Sequence, residues 1–477
     1  MKGQIVPCVT IGSLPDDVLL DVFDFYRFLV KRPQDEIWKW QTLANVCSRW
    51  RQIIFASPCR LDSRLTCTER TPVREMLDAF PNFPINIDYW DDIYSTHDTW
   101  DNILAALERR GQARWISLAG LTNPPLEIFV TMMQEPFPSL TYLQFWSNDG
   151  VDSALVIPDT FLGRSTPRLQ FLLLHGIAFP GLPKLLFSAR DLVSLVLTQI
   201  PVTGYIPPEA LTDSLSALPS LMWFTIMFAS AISPDRTGRR PPPTTRTILP
   251  SLTSVTFQGA SEYLEDLVAP ISAPLLHDAT LLFLDQLVFD SPQLFRFIGQ
   301  SDTSKSPNQV TIGFEQDVTE IAFGPPAGTP DLRHFRLQIT CGESAWQVRL
   351  VAQFFSQSPS LLPKVERLEI TGSRPNQADW QNQMNETQWL EIFRPFTAVE
   401  RLYISDQVVP LVVPALGGLT GEGAIEVLPA LHSVFLEGFQ LHGPVYDDVM
   451  SFITARRLCG HPMGVQSWNS RHGMLLD

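Results

Sequence analysis

"PSLTYLQF", residues 138–145, places an anchor at Leu140 and apolar residues three and five positions further on, Leu143 and Phe145. Alternate residues of a strand share a face, so Leu143 and Phe145 form the inward side of a short strand. The pattern returns as "PRLQFLLL" at Leu169, "RDLVSLVL" at Leu192, "PSLMWFTI" at Leu221, "PSLTSVTF" at Leu252 and "PDLRHFRL" at Leu332. It continues as "PKVERLEI" at Val365, "TAVERLYI" at Val399 and "PALHSVFL" at Leu431, with weaker copies at Ala113, Leu276 and Pro307. Between 113 and 431 the mean spacing is about 29 residues, the upper end of the leucine-rich-repeat range.

The segments between copies carry helical spacing. "THDTWDNILAALERRG" offers Asp98 as a cap, Trp100, Ile103, Leu104 and Leu107 as a stripe, and Gly111 as a stop. "PPLEIFVTMMQE" starts with prolines and "SAWQVRLVAQFFSQSP" ends before one, as helices do at their boundaries. A strand and a helix repeated a dozen times predict a solenoid with parallel strands on the concave side and helices on the convex side. The alternative is an ordinary α/β domain whose strands begin "PxL", but no Gly-rich phosphate loop follows any strand. The pattern resembles leucine-rich repeats, although only "LTYLQFWSN" carries the Asn that ladders between turns in that family, here Asn148. The spacings, unequal from one copy to the next, imply unequal helices and loops. "SPDRTGRRPPPTTRTILP", 233–250, reads as an exposed loop inserted into the array, and "GGLTGEG", 417–423, as a flexible loop.

With 477 residues, 45% hydrophobic and 18% charged, the chain has the composition of a folded protein of several domains or one long array. A net charge of -15 argues against a general nucleic-acid binder. The six cysteines form no C-x-x-C pair, so neither a metal site nor a disulfide framework is expected, and reduced thiols fit a cytoplasmic or nuclear chain. The first residues hold no apolar core of signal-peptide length before Pro15. The longest apolar run, Leu221 to Ile232, is shorter than the roughly twenty residues that cross a bilayer, so no membrane partner is expected, and the sequon at Asn385 reads as chance.

Catalysis is not expected either. The eight histidines show no H-x-x-x-H or H-E-x-x-H spacing, and no G-x-S-x-G elbow occurs. His277 and Asp278 are adjacent on an expected strand and face opposite ways. The pairs Asp16-Asp17, Asp91-Asp92 and Asp447-Asp448 fall at expected helix starts, where negative charge is stabilised by the helix dipole, or in loops. No cofactor or metal is implied.

The N-terminal segment differs in kind. In "LPDDVLLDVFDFY", 14–26, a helix places Val18, Leu19, Val22, Phe23 and Tyr26 on one stripe, with Ser13 and Asp16 as a capping signature and Pro15 in the first turn. In "LANVCSRWRQIIFASP", 43–58, Leu43, Val46, Cys47, Trp50 and Ile54 form a second stripe. The order "LP", an apolar helix, a gap, then "VCSRWR" and "LDSRL" resembles the F-box, the helical module that docks substrate receptors onto the Skp adaptor of cullin-based ubiquitin ligases. The matching positions are Leu14, Pro15, Val18, Leu19, Phe23, Leu43, Val46, Cys47, Trp50 and Arg51. The chain as a whole is similar to a large fungal, basidiomycete-type group in which "TPVREMLDAFPNFPINI" and a leucine-rich-repeat-like array follow the box. The insert "RFLVKRPQDEIWKW" lengthens the gap beyond the minimal box.

The resemblance implies an α/β chain organised as an F-box at 10–62, a connector and N-terminal cap at 63–112, and an irregular solenoid at 113–477. It implies an adaptor surface of Leu14, Pro15, Val18, Leu19, Val22, Phe23, Leu43, Val46, Cys47 and Trp50. Its partners would be the Skp-type adaptor, the cullin scaffold and a protein target. A repeat scaffold or regulatory receptor that delivers no target is the alternative. Strand alternation then sends residues +2, +4 and +6 from each anchor to the face solenoids use for partners. Those expected to bind the target are Tyr142, Trp146, Phe171, His175 and Trp223, followed by the charged group Arg336, Arg367, Arg401 and Tyr403. Cover of these aromatics by a loop or by the C-terminal tail is the competing arrangement.

Overall fold

The computed structural model describes residues 11–29, 39–57, 64–68, 73–90, 100–150, 153–231, 246–286, 288–299, 308–324, 334–341, 344–358, 361–372, 386–440, 442–469 and 474–475. The chain forms two compact units, Met1–Leu192 and Val193–Asp477.

The first unit opens with helices Asp16–Leu29, Lys39–Ala44 and Ser48–Ala56. The second apolar stripe is therefore not a single helix. Cys47 has extended backbone, φ -159° and ψ 169°, and caps the third helix by accepting the Trp50 N–H on its sulfur at 3.5 Å. Strands β1 (Leu65–Cys67), β2 (Ile85–Trp90), β3 (Ala113–Leu121), β4 (Tyr142–Ser147) and β5 (Phe171–His175) follow, each parallel to the next. Parallel pairing thus begins at Leu65, inside the stretch expected to be a connector, because "LTC" and "INIDYW" alternate buried residues without the proline-led anchor.

The second unit holds β6 (Ser194–Ile200), β7 (Trp223–Phe228), β8 (Thr247–Ile248), β9 (Ser254–Gly259), β10 (Ile271–Ser272) and β11 (Asp278–Phe283). After them come β12 (Gln309–Phe314), β13 (Val318–Gly324), β14 (His334–Thr340), β15 (Arg367–Gly372), β16 (Arg401–Ile404), β17 (Ser433–Glu437), β18 (Gly464–Asn469) and β19 (Met474–Leu475). β6, β7, β9 and β11 pair in parallel, as do β15, β16, β17 and β18. Between these two runs the expected order fails. β11 pairs with β14, β14 with β13, β13 with β12, and β12 with β15, and β13 is antiparallel to both of its neighbours. The repeat anchored at Pro307 has a hairpin strand where copies such as those at Leu252 and Leu332 have a helix, so the three strands meet in reverse sequence order. Of the segment expected to be an inserted loop, 233–245 lies outside the described residues and Thr247–Ile248 is the short strand β8, parallel to β10. Gly417 ends the helix Val409–Gly417 and Gly423 starts the helix Gly423–Glu426, leaving only a short turn of the glycine-rich stretch.

All the +3 and +5 residues are buried, from Ile116 and Leu118 through Leu143 and Phe145 to Val434 and Leu436. Helices cover that side, for example Asn123–Met132 on β3 and Ser261–Val268 on β9, and successive helices pack on one another. Among the described residues no helix covers the opposite side: β4, β9, β11 and β12 all alternate half-buried with buried residues. Parallel sheets of doubly wound domains are covered on both faces and read as continuous apolar runs. Among the described residues, each unit here instead leaves one sheet face without helical cover.

Asn148 does act as a ladder residue, donating its side-chain N–H to the Gly120 carbonyl at 2.8 Å. A buried arginine does related work in the second unit. Arg456, in the helix Pro444–Leu458, is inaccessible to solvent. It donates to the carbonyls of Ala424, Val427, Leu428, Pro429 and Leu431 at 2.9–3.3 Å. Burial lowers its pKa from the usual 12.5.

Candidate interaction surfaces

The N-terminal helices divide the residues expected to meet the adaptor into two sets. Leu19 and Phe23 are core, 0% and 1% exposed, with the Phe23 ring 4.7 Å from that of Trp50. Helix geometry explains the split: Val18 and Val22 lie four apart on one side, whereas Leu19 and Phe23 lie a further 100° round, against the third helix. Val18, Val22 and Val46 are exposed at 39%, 40% and 57%. Pro15 and Cys47 are also exposed, while Leu14, Leu43 and Trp50 are half-buried. Phe25, 65% exposed, and Tyr26 extend the apolar patch. Phe25, seven residues on from Val18, lies on the same side of the helix and follows from the same 3.6-residue period, although the stripe read from the sequence passed over it. Arg49 braces the module, 2.6 Å from the Asp16 carboxylate and donating to the Leu14 carbonyl at 2.6 Å.

On the open face of the first unit, Trp115, Tyr142 and Phe171 occupy one row across β3, β4 and β5. Their rings are parallel, with centroids 3.4 Å and 4.4 Å apart. Trp146 and His175 stack in the same way at 3.9 Å. Four of the five expected aromatic positions are therefore brought together here. Trp115, the +2 residue of a weak repeat copy, completes the ladder and follows from the same alternation rule. Burial lowers the His175 pKa from 6.5, and burial followed by the Asp88 charge raises that of Tyr142 from 10.0. Trp223 belongs to the second unit, where its cross-strand neighbours are Ser194 and Ser254, so it joins no ring stack in that row.

The charged group expected on the second unit is divided. Arg367 and Arg401 are cross-strand neighbours on β15 and β16. Arg336, on β14, is separated from them by β13 and β12, roughly 14 Å at the usual strand spacing. Each arginine has a carboxylate: Arg336 has Glu320 at 3.3 Å, Arg367 has Glu369 at 3.3 Å, and Arg401 has Glu366 at 4.0 Å. Exposed pairs of this kind contribute about 0–1 kcal/mol and leave little free positive field. Tyr403 is not an exposed contact residue. It is 6% exposed, stacked on Phe435 at 4.3 Å, edge-on to Trp468 at 5.3 Å and covered by the Arg367 guanidinium at 3.9 Å. At this end the otherwise open face is closed by its own aromatic cluster.

Among the described residues, no helix is long and apolar enough to cross a membrane, and no group of three or more His, Cys, Asp or Glu could hold a metal ion. The described cysteines Cys47, Cys67, Cys341 and Cys459 are free thiols, with burial raising the Cys67 pKa to about 12.

No protein-family model matches this chain, and no curated protein matches it. Among solved structures it is similar to the leucine-rich repeat-containing protein LegL7 from Legionella pneumophila, with 10% sequence identity and a TM-score of 0.28. The match covers 76% of this chain and 93% of that one.

Proposed function

We propose that the chain is a non-catalytic receptor. Its N-terminal helical module, an F-box by resemblance, docks the Skp-type adaptor of a cullin-based ubiquitin ligase, and its repeat-like strands, a leucine-rich-repeat-like solenoid in this reading, hold a protein target on their open face. The observation that carries the proposal is the apolar surface on the first helices. Val18, Val22, Phe25 and Val46 stay exposed beside a core of Leu19, Phe23 and Ile54. An exposed apolar stripe such as Val18, Val22 and Phe25, flanked on its helix by acidic residues such as Asp17 and Asp21, is the usual mark of a partner site. The chain contributes effective concentration, keeping the target beside the transfer machinery while other subunits perform the chemistry.

The second reading, a scaffold that delivers nothing for ubiquitination, draws support from the same open face. Co-purification separates the two: a receptor brings down adaptor and cullin, a scaffold only its partner. The double change Val18→Asp, Val22→Asp should abolish adaptor capture without changing the melting temperature, since both side chains lie outside the core. Retained capture by that variant, or no capture by the unmodified chain, removes the adaptor role.

A further inference from the structure

The open face of the first unit carries a furrow between two aromatic ridges. Trp115, Tyr142 and Phe171 form one ridge, and Trp146 and His175 the other. Tyr142 and Trp146 lie four residues apart on β4, about 13 Å at the usual strand rise. Between the ridges the floor is Ser117, Gln144 and Leu173, cross-strand neighbours on β3, β4 and β5. Because the rings stack face to face, each ladder covers its own faces except at its ends. It therefore turns outward the ring edges, the electropositive part of an aromatic.

Hydrogen-bond donors add to these edges. The Tyr142 hydroxyl donates to the Gln144 Oε1 at 2.6 Å, which leaves the amide N–H groups of Gln144 to a ligand. Among the described residues, those N–H groups, the indole N–H groups of Trp115 and Trp146, and the Ser117 hydroxyl meet no acceptor. Asp88, the cross-strand neighbour of Ser117, is exposed at the β2 end of the floor. It is the one charged side chain in these rows, since burial lowers the His175 pKa and favours the neutral ring.

A ligand for this furrow needs acceptors, an apolar body and no negative charge. A proline-rich segment meets all three conditions. Polyproline II carbonyls have no internal partner, prolyl nitrogens carry no hydrogen, and aromatic-lined grooves are where such segments dock. The repeat fits as well: three residues advance about 9 Å, and the two strand spacings from β3 to β5 come to about 9.5 Å. A sugar ring would instead pack on open aromatic faces, which the stacks close.

We infer that the furrow holds a proline-rich segment of the protein partner, laid across β3, β4 and β5 as a polyproline II helix, with a basic residue at the Asp88 end. The inference rests on reading the open face as the target-binding surface and names the chemistry of the segment held there.

The test titrates the full chain, by fluorescence anisotropy, with labelled oligoproline ending in Arg, oligoproline ending in Glu, and an alternating Gly-Ser peptide ending in Arg. Cellohexaose serves as a competitor, and adaptor capture is measured in parallel. The oligoproline-Arg peptide should bind, the Glu form several-fold more weakly and the Gly-Ser peptide not at all. Trp115→Phe with Trp146→Phe, which keeps both stacks and removes the indole donors, should weaken binding about tenfold. Ser117→Leu should abolish it by raising the floor; if that change lowers the melting temperature, the double Phe variant alone decides. No binding by the unmodified chain, equal binding of the Gly-Ser peptide, preference for the Glu form, displacement by cellohexaose, or unaltered affinity in the double variant overturns the inference. Oligoproline binding without adaptor capture keeps this furrow and removes the receptor reading; capture without oligoproline binding does the reverse.

Discussion

Replacing Arg456 by Met should destabilise the second unit severely. Methionine keeps much of the volume and removes the charge, so the loss reports on the carbonyls. Five of them receive guanidinium N–H groups, and only the Leu428 carbonyl has a second backbone donor, the N–H of Leu431 at 3.0 Å. Four acceptors are left bare at about 1–3 kcal/mol each. Relaxation, water entry and the end of guanidinium desolvation offset much of that, which brings the expected cost to about 3–5 kcal/mol, the range for removing one partner of a buried charged contact. For a unit of this size the melting temperature should fall by roughly 5–8 °C. Differential scanning calorimetry measures the shift, and hydrogen exchange should show the protection lost first in 423–458. Arg456→Lys, with three donors on a compact head, should fall between the two. A melting point for Arg456→Met within about 1 °C of the unmodified chain would falsify the assignment of these bonds as a structural clamp.

Leu143→Ala and Leu368→Ala, both at fully buried +3 positions, should each cost about 2–5 kcal/mol in denaturant unfolding; a loss under about 1 kcal/mol would contradict the inward register. Glu265 is buried and accepts the Gln293 and Leu294 N–H groups at 2.7 and 2.9 Å, the first turn of the helix Pro292–Gly299. Glu265→Ala should therefore cost about 1–3 kcal/mol, and unaltered amide exchange at 293–294 would refute it. His175 has its pKa lowered below 6.5 by burial. The unfolded chain then binds the proton more readily, so this contribution to stability is complete above pH 6.5 and is lost as pH falls through the folded-state value. Melting curves taken across that range should show the slope, and His175→Phe should remove it.

The strand registers were legible because each copy repeats the same two inward positions. Leu143 and Phe145, or Leu368 and Ile370, sit where alternation from the anchor puts them. β13 was not legible. "VTEIAFG" has no anchor, and the distance from Pro307 to Leu332 resembles an ordinary repeat, so nothing local signals a strand in place of a helix. Strand order is a property of distant pairings, and neighbouring residues do not encode it. The fate of Tyr403 was hidden for a related reason: its alternation was read correctly, but burial came from Phe435 and Trp468, more than thirty and sixty residues away. At the N-terminus the sequence located the apolar stripes and could not separate Leu19 from Val18, since both suit an amphipathic helix and only packing distinguishes them.

The interlocked strands also govern how the chain can be shortened and how it can form. In a run such as β15 to β18 each strand needs only the one before it, so growth can proceed by zippering from either side and the last strand can be lost alone. β11 also pairs with β14, and β12 with β15, and each of these pairings joins strands more than fifty residues apart. The stretch from Asp278 to Gly372 should consequently assemble all at once and late, with a folding rate limited by closure of those long loops. A truncation inside it strands a pairing edge on the far side of the cut, whereas one after Ile404 removes only terminal strands, and a copy of the repeat cannot be duplicated across this point without duplicating the whole block.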